Sequence, residues 1–160
     1  MERAIFEQAV REHRDMVFRV VLHVTGQRQD AEDAVQEVFL RLYTRERDFA
    51  SPEHLRRWLI RVTVNLCRDT LKSPWRKRRV YLEQLPEPSF HQVEQRELYR
   101  EVMALPEKYR TVLDLFYYEE LSTREIGEVL GIRQSAVTTR LTWAREQLEK
   151  RLKEAWRDDK

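Results

Sequence analysis

Glycine is nearly absent from this chain, at three residues in 160, and proline occurs only five times. An all-β protein, which needs such residues at its many turns, is thereby disfavoured. The single cysteine, Cys67, excludes an internal disulfide and reads as a core thiol. No apolar run approaches the roughly 18 residues that span a bilayer, so no membrane insertion is expected. The N-terminal Met-Glu-Arg-Ala-Ile-Phe-Glu carries acids and lacks the apolar core of a signal peptide. These absences predict a soluble, cytoplasmic protein. The sequence also lacks a Gly-rich phosphate loop, an H-E-x-x-H pair and a cysteine cluster. His13, His23, His54 and His91 are scattered without ligand spacing. Neither catalysis, a metal nor a cofactor is expected.

What the chain does have is charge (36% of residues) and apolar side chains (41%), arranged with helical period almost throughout. The expected fold is all-α, with two small helical domains on a flexible linker. The first covers residues 1–73, the linker 74–91 and the second 92–160. Pro74, Pro86, Pro88 and a basic run interrupt the periodicity in between. The first domain should hold helices over about 2–24, 30–45 and from Ser51-Pro52 onward, the last capped by the serine. Trp58 and Phe39 look like core anchors, and Leu55, Trp58, Leu59, Val62, Leu66 and Leu71 form the expected buried stripe of the third helix. The second domain should hold helices over about 92–104, 106–118, 122–130 and 134–156.

The formal net charge of +2 conceals a separation of sign. Residues 29–40 contain Asp30, Glu32, Asp33 and Glu37 and no base, whereas Arg76-Lys77-Arg78-Arg79 is wholly basic. Such separation implies one basic and one anionic partner. Asp30, Asp33 and Glu37 fall on one helical face with Gln36 beside them. Dipole-favouring acids at a helix start account for Asp30 and Glu32 but poorly for Glu37. A catalytic carboxylate pair would want a cleft, a metal or a base, none of which is spelled out. A docking patch for a basic protein is the better use.

On the third helix Arg57, Arg61, Asn65, Arg68 and Lys72 recur every three or four residues as one basic band, suited to phosphates. Asn65 within it can bond a base edge or a neighbouring loop. The preceding loop, Asp48-Phe49-Ala50-Ser51, carries one aromatic. Its ring either packs inward, which is commoner, or stacks on an unpaired base.

Two of the three glycines fall between Leu121 and Leu141, in a segment that reads as a helix-turn-helix. Ser122 and Glu125 form a capping box. Ile126, Val129 and Leu130 supply an apolar face, and Gly127 is small where two helices must approach. Gly131 supplies the left-handed residue that ends the first helix, and Ile132 should plug the core. The second helix starts near Gln134 with Val137, Leu141 and Ala144 inward. An ordinary helical hairpin has the same outline. The agreement of glycine spacing, cap and core period favours laying the second helix in a DNA major groove.

In this order the pieces resemble the extracytoplasmic-function (ECF) sigma factors of bacterial RNA polymerase, over nearly the whole chain. Asp30-Ala-Glu-Asp-Ala-Val-Gln-Glu-Val-Phe-Leu-Arg-Leu-Tyr43 is similar to that family's core-binding helix. Trp58-Leu-Ile-Arg-Val-Thr-Val-Asn-Leu-Cys-Arg-Asp69 resembles its W-L-x-x-I-A-x-N-x-x-x-D helix, and Leu105-Pro-Glu-Lys-Tyr-Arg110 its L-P-x-x-x-R. The resemblance implies a promoter-specificity subunit in a stress or envelope response, with core RNA polymerase, promoter DNA and an anti-sigma factor as partners. Asp30, Asp33, Gln36 and Glu37 would dock on the polymerase. Phe49, Ala50 and Ser51 would build a pocket for a flipped minus-ten base, with Asn65 nearby and Arg57 and Arg61 on the phosphates. This shifts the reading of Phe49 toward DNA contact. The linker would thread toward the RNA exit path, where Arg76 to Arg79 meet nucleic acid.

The minus-thirty-five element would be read by Arg133, Ser135, Thr138, Thr139, Arg140 and Trp143. Here the chain departs from the family's T-V-K/R-S-R-L-x-R-A-R. Thr138 and Trp143 stand where bases are usual, which predicts weaker or altered upstream recognition. Trp143 would contact thymine methyls or a partner protein. A stand-alone helix-turn-helix regulator is the alternative, and it leaves the acidic helix and basic band unexplained. A nuclease built on the clustered acids lacks a further metal-ligand group.

Overall fold

The computed structural model describes residues 1–29, 31–71 and 93–158. The expected linker, Lys72, Arg76 to Arg79 and Asp30 therefore lie outside the described residues. Every described element is a helix, and the chain divides into two compact units, Met1–Gln84 and Leu85–Lys160.

In the first unit α1 (Arg3–Thr25), α2 (Ala31–Thr44) and α3 (Pro52–Leu71) all pack on one another. Gly26 ends α1 in the left-handed region (φ 71°), returning its N–H to the Leu22 carbonyl at 2.8 Å. Met16, Val17, Val20, Val21 and Val24 are buried, as the helical period of α1 requires. On α2 the buried positions are Ala31, Val35, Val38, Phe39 and Leu42. Tyr43, one of the helix's apolar side chains, is exposed and meets Phe6 edge to face at 5.0 Å.

The inward line of α3 differs from the expected stripe. Leu59, Ile60, Thr63, Val64 and Cys67 are buried, whereas Leu55, Trp58, Val62 and Leu66 are only half-buried. Trp58 is thus no core anchor, though Phe39 is. Thr63, which an apolar count passes over, joins this line beside Ile60 and Val64. Its hydroxyl donates to the Leu59 carbonyl at 2.6 Å, so its polar atom is satisfied within the helix and the residue can enter the core. Each large apolar side chain buried in this way is worth about 1.5–3 kcal/mol.

The second unit gathers α4 (Val93–Met103), α5 (Glu107–Leu113) and α6 (Thr123–Leu130) around the long α7 (Gln134–Asp158). The single helix expected over 106–118 is interrupted. After Leu113 the chain widens into a π-helical turn, Asp114–Tyr118, closed by the Glu119 N–H on the Asp114 carbonyl at 3.1 Å. The wider turn is followed by Glu120 at φ 57°. It keeps Leu115 in the core and leaves Tyr117 and Tyr118 exposed. The Arg110 guanidinium donates to the Met103 carbonyl at 3.2 Å, tying α5 to the end of α4. The arginine of L-P-x-x-x-R is therefore a brace. Its burial lowers its pKa, with Glu107 and Tyr99 opposing.

Candidate nucleic-acid interface

The helix-turn-helix forms through local chemistry. The Glu125 N–H donates to Ser122 Oγ, and the Ser122 N–H donates back to Glu125 Oε1, each at 3.1 Å. Gly131 adopts φ 69°, and Val137, Leu141 and Ala144 are buried. Ile132 is half-buried rather than a plug. Gly127 answers to the turn more than to a crossing helix. A Cβ there would lie 2.8 Å from the Ile132 carbonyl oxygen.

The outward face of α7 makes one wall of an open groove of about 500 Å³. Five residues expected to read the upstream element line it: Arg133, Ser135, Thr139, Arg140 and Trp143. Thr138 does not. It lies about 140° around the helix from Trp143 and donates its hydroxyl to the Gln134 carbonyl at 3.1 Å. The opposite wall is Lys108 and Tyr109 of α5, which sequence reasoning missed. The Trp143 indole stacks on the Tyr109 ring with centroids 4.0 Å apart and planes 26° apart. No local pattern links residues 34 positions apart, so no sequence signal pointed to this pair. Arg145 turns away from the groove, its Nε donating to the Tyr117 hydroxyl at 2.6 Å.

In the first unit, Asp33 and Gln36 are exposed on α2 and Glu37 is partly so. Glu37 pairs with Arg41 at 3.1 Å, a surface i,i+4 contact worth only about 0.3–0.5 kcal/mol and easily given up to a partner. On α3, Arg57, Arg61 and Asn65 are exposed along one face, with Arg68 less so. The same unit thus presents an acidic helix and a basic helix.

The loop joining α2 to α3 is braced from within. The Ala50 N–H donates to His54 Nδ1 at 3.0 Å, and the His54 N–H donates to Ser51 Oγ at 3.1 Å. Phe49 is half-buried, edge-on to Trp58 at 5.5 Å and to His54 at 5.2 Å. The Arg45 guanidinium lies 4.2 Å from the Phe49 centroid and 5.0 Å from that of Trp58. Such contacts are worth about 0.5–1 kcal/mol each at exposed sites. The ring rests on these neighbours, as the inward reading expects, and is flanked by the exposed Ala50 and Ser51. Arg45, His54 and Trp58 were not among the expected site residues.

Among the described residues no group of His, Cys, Asp and Glu could hold a metal ion, and no helix is long and apolar enough to cross a membrane.

Two family models match the chain: Sigma-70 region 2 over residues 9–77 and Sigma-70 region 4 over residues 95–148. The chain is 31% identical to the ECF RNA polymerase sigma factor SigW of Bacillus subtilis, over 93% of this chain and 89% of that one. Among solved structures it is similar to CnrH in complex with the cytosolic domain of CnrY (TM-score 0.67, 26% identity, covering 96% of this chain and 90% of that one). The sigma factor RpoE, in complex with the anti-sigma factor NepR from Bartonella quintana, shares the fold at TM-score 0.78 and 17% identity, covering 92% of this chain and 96% of that one.

Proposed function

The chain belongs to the ECF sigma factors of bacterial RNA polymerase, and from that premise we propose how its residues divide the work of promoter recognition. As a sigma factor it is a non-enzymatic initiation factor that directs the polymerase to promoters. Residues 1–73 act as the region 2 domain, 74–91 as linker and 92–160 as the region 4 domain. Asp33, Gln36 and Glu37, with Asp30 preceding them, dock on core polymerase in the cytoplasm. Arg57 and Arg61 hold phosphates of the minus-ten strand. Phe49, Ala50 and Ser51, with Asn65, receive its flipped base. Extruding a base costs a few kcal/mol, and an aromatic platform returns about 1–3 kcal/mol of it. The groove residues Arg133, Ser135, Thr139, Arg140 and Trp143 face the minus-thirty-five duplex, with Thr138 at its flank. Because RpoE and CnrH are each held by a protein partner in their structures, an anti-sigma partner and a stress or envelope response are proposed here too.

One observation carries this reading: a single three-helix unit exposes acids on α2 and bases on α3. A stand-alone regulator needs only the second unit. The test is charge reversal. Asp33→Lys with Glu37→Lys should abolish co-purification with core polymerase and promoter-directed transcripts. Glu7→Lys, at an exposed position on α1, should leave both intact. Full activity of the double variant would refute the docking role.

A further inference from the structure

Resting on the reading of the second unit as the duplex-binding one, we propose that the Tyr109–Trp143 stack reads a single thymine in the upstream promoter element. Trp143 is 38% exposed and stands in the groove that Lys108, Arg133 and Arg140 also line. Those cations draw the phosphate backbone of a duplex to this face. Ser135, Thr139 and Trp143 follow one another at four-residue intervals on α7. Ser135 and Trp143 are therefore about 12 Å apart along the helix at 1.5 Å per residue. At about 3.4 Å per base pair, that separates their targets by three to four pairs.

The indole offers an apolar face and one N–H donor, with no acceptor. In the major groove, thymine presents a C5-methyl group and the O4 acceptor. Guanine offers acceptors without a methyl, cytosine an amino donor, and adenine an N7 acceptor beside an amino donor; none of the three carries a methyl, and the indole cannot satisfy the amino groups. Thymine is thus the base whose edge matches both features. A basic residue at this position would select guanine instead. Tyr109 is a positioning residue. Its ring, 4.0 Å from the indole and nearly parallel to it, holds Trp143 against swinging out of the groove.

The test uses holoenzyme assembled from the full chain and core polymerase. It is run on promoter libraries randomised upstream, with unmodified protein, Trp143→Ala, Trp143→Arg and Tyr109→Leu. The unmodified protein should enrich thymine at one position. Trp143→Ala should lose that preference, and Trp143→Arg should replace it with guanine. A second arm needs no protein variant. Deoxyuridine in place of that thymine removes one methyl group, and promoter binding should weaken about fourfold. Trp143→Ala and Tyr109→Leu should respond less than twofold. Tolerance of deoxyuridine by the unmodified protein, or the same thymine preference in Trp143→Ala, would overturn the proposal while leaving duplex binding by the second unit standing. A library flat at every upstream position would overturn both.

Discussion

Replacing Gly127 with alanine tests whether the turn, rather than the helices, sets the position of α7. In an ordinary helix interior the change would stabilise by about 0.8–1.0 kcal/mol through helix propensity. Here the new Cβ would stand 2.8 Å from the Ile132 carbonyl oxygen and 3.6 Å from the Gln134 backbone nitrogen. The obstacle is backbone, held by the Ile132 N–H on the Gly127 carbonyl at 3.0 Å, so it cannot rotate aside. Overpacking of this kind costs about 1–3 kcal/mol. The difference is a net loss of about 1 kcal/mol, which corresponds to roughly fivefold faster amide exchange over residues 126–141. Relief of the clash must move residues 132–134, where α7 begins, so binding to the upstream duplex should fall by more than the stability loss alone explains. Gly131→Ala is the control. It carries a comparable left-handed penalty of about 1–2 kcal/mol, but its Cβ would meet nothing within 4 Å, so the turn stays in place. Hydrogen exchange and holoenzyme binding to an upstream duplex read the two effects separately. If Gly127→Ala exchanges as slowly as the unmodified protein and binds the duplex equally well, the argument from the turn is wrong.

Two other perturbations address the first unit. Phe49→Ala should lower permanganate reactivity of minus-ten thymines at least fivefold, given about 1–3 kcal/mol for base stacking, and Arg45→Ala should do so more mildly because it removes the cation braced on that ring; unchanged opening in both would show that the cluster only packs. His13 is 14% exposed, and burial lowers its pKa from the ordinary 6.5, with Glu12 opposing and Arg56 adding to the fall. The unfolded chain therefore takes up a proton before the folded one does, so stability present above about pH 6.5 should decline as the pH drops through that value toward the folded pKa. His13→Gln should flatten this arm of a melting-temperature profile, and an identical profile would show that another group governs it.

Much of the protein's organisation was legible because its causes are local. Ser122 and Glu125 lie three residues apart and bond each other, and Gly26 and Gly131 end helices by their own φ angles. The acids of α2 and the bases of α3 expose themselves because helical period separates them from the apolar positions. Family motifs then pointed to core polymerase and promoter DNA as partners of the chain. Folding in three dimensions decided what depends on neighbours from afar. Thr63 enters the core of the three packed helices with its hydroxyl turned back on its own helix. Arg45 reaches Trp58, thirteen residues on, because the loop after α2 returns the chain to the start of α3. Tyr109 finds Trp143 because the π turn and Gly131 return the chain alongside α5. A one-dimensional pattern records which face of a helix avoids water, and it holds no term for which distant ring, cation or carbonyl will lie across from that face.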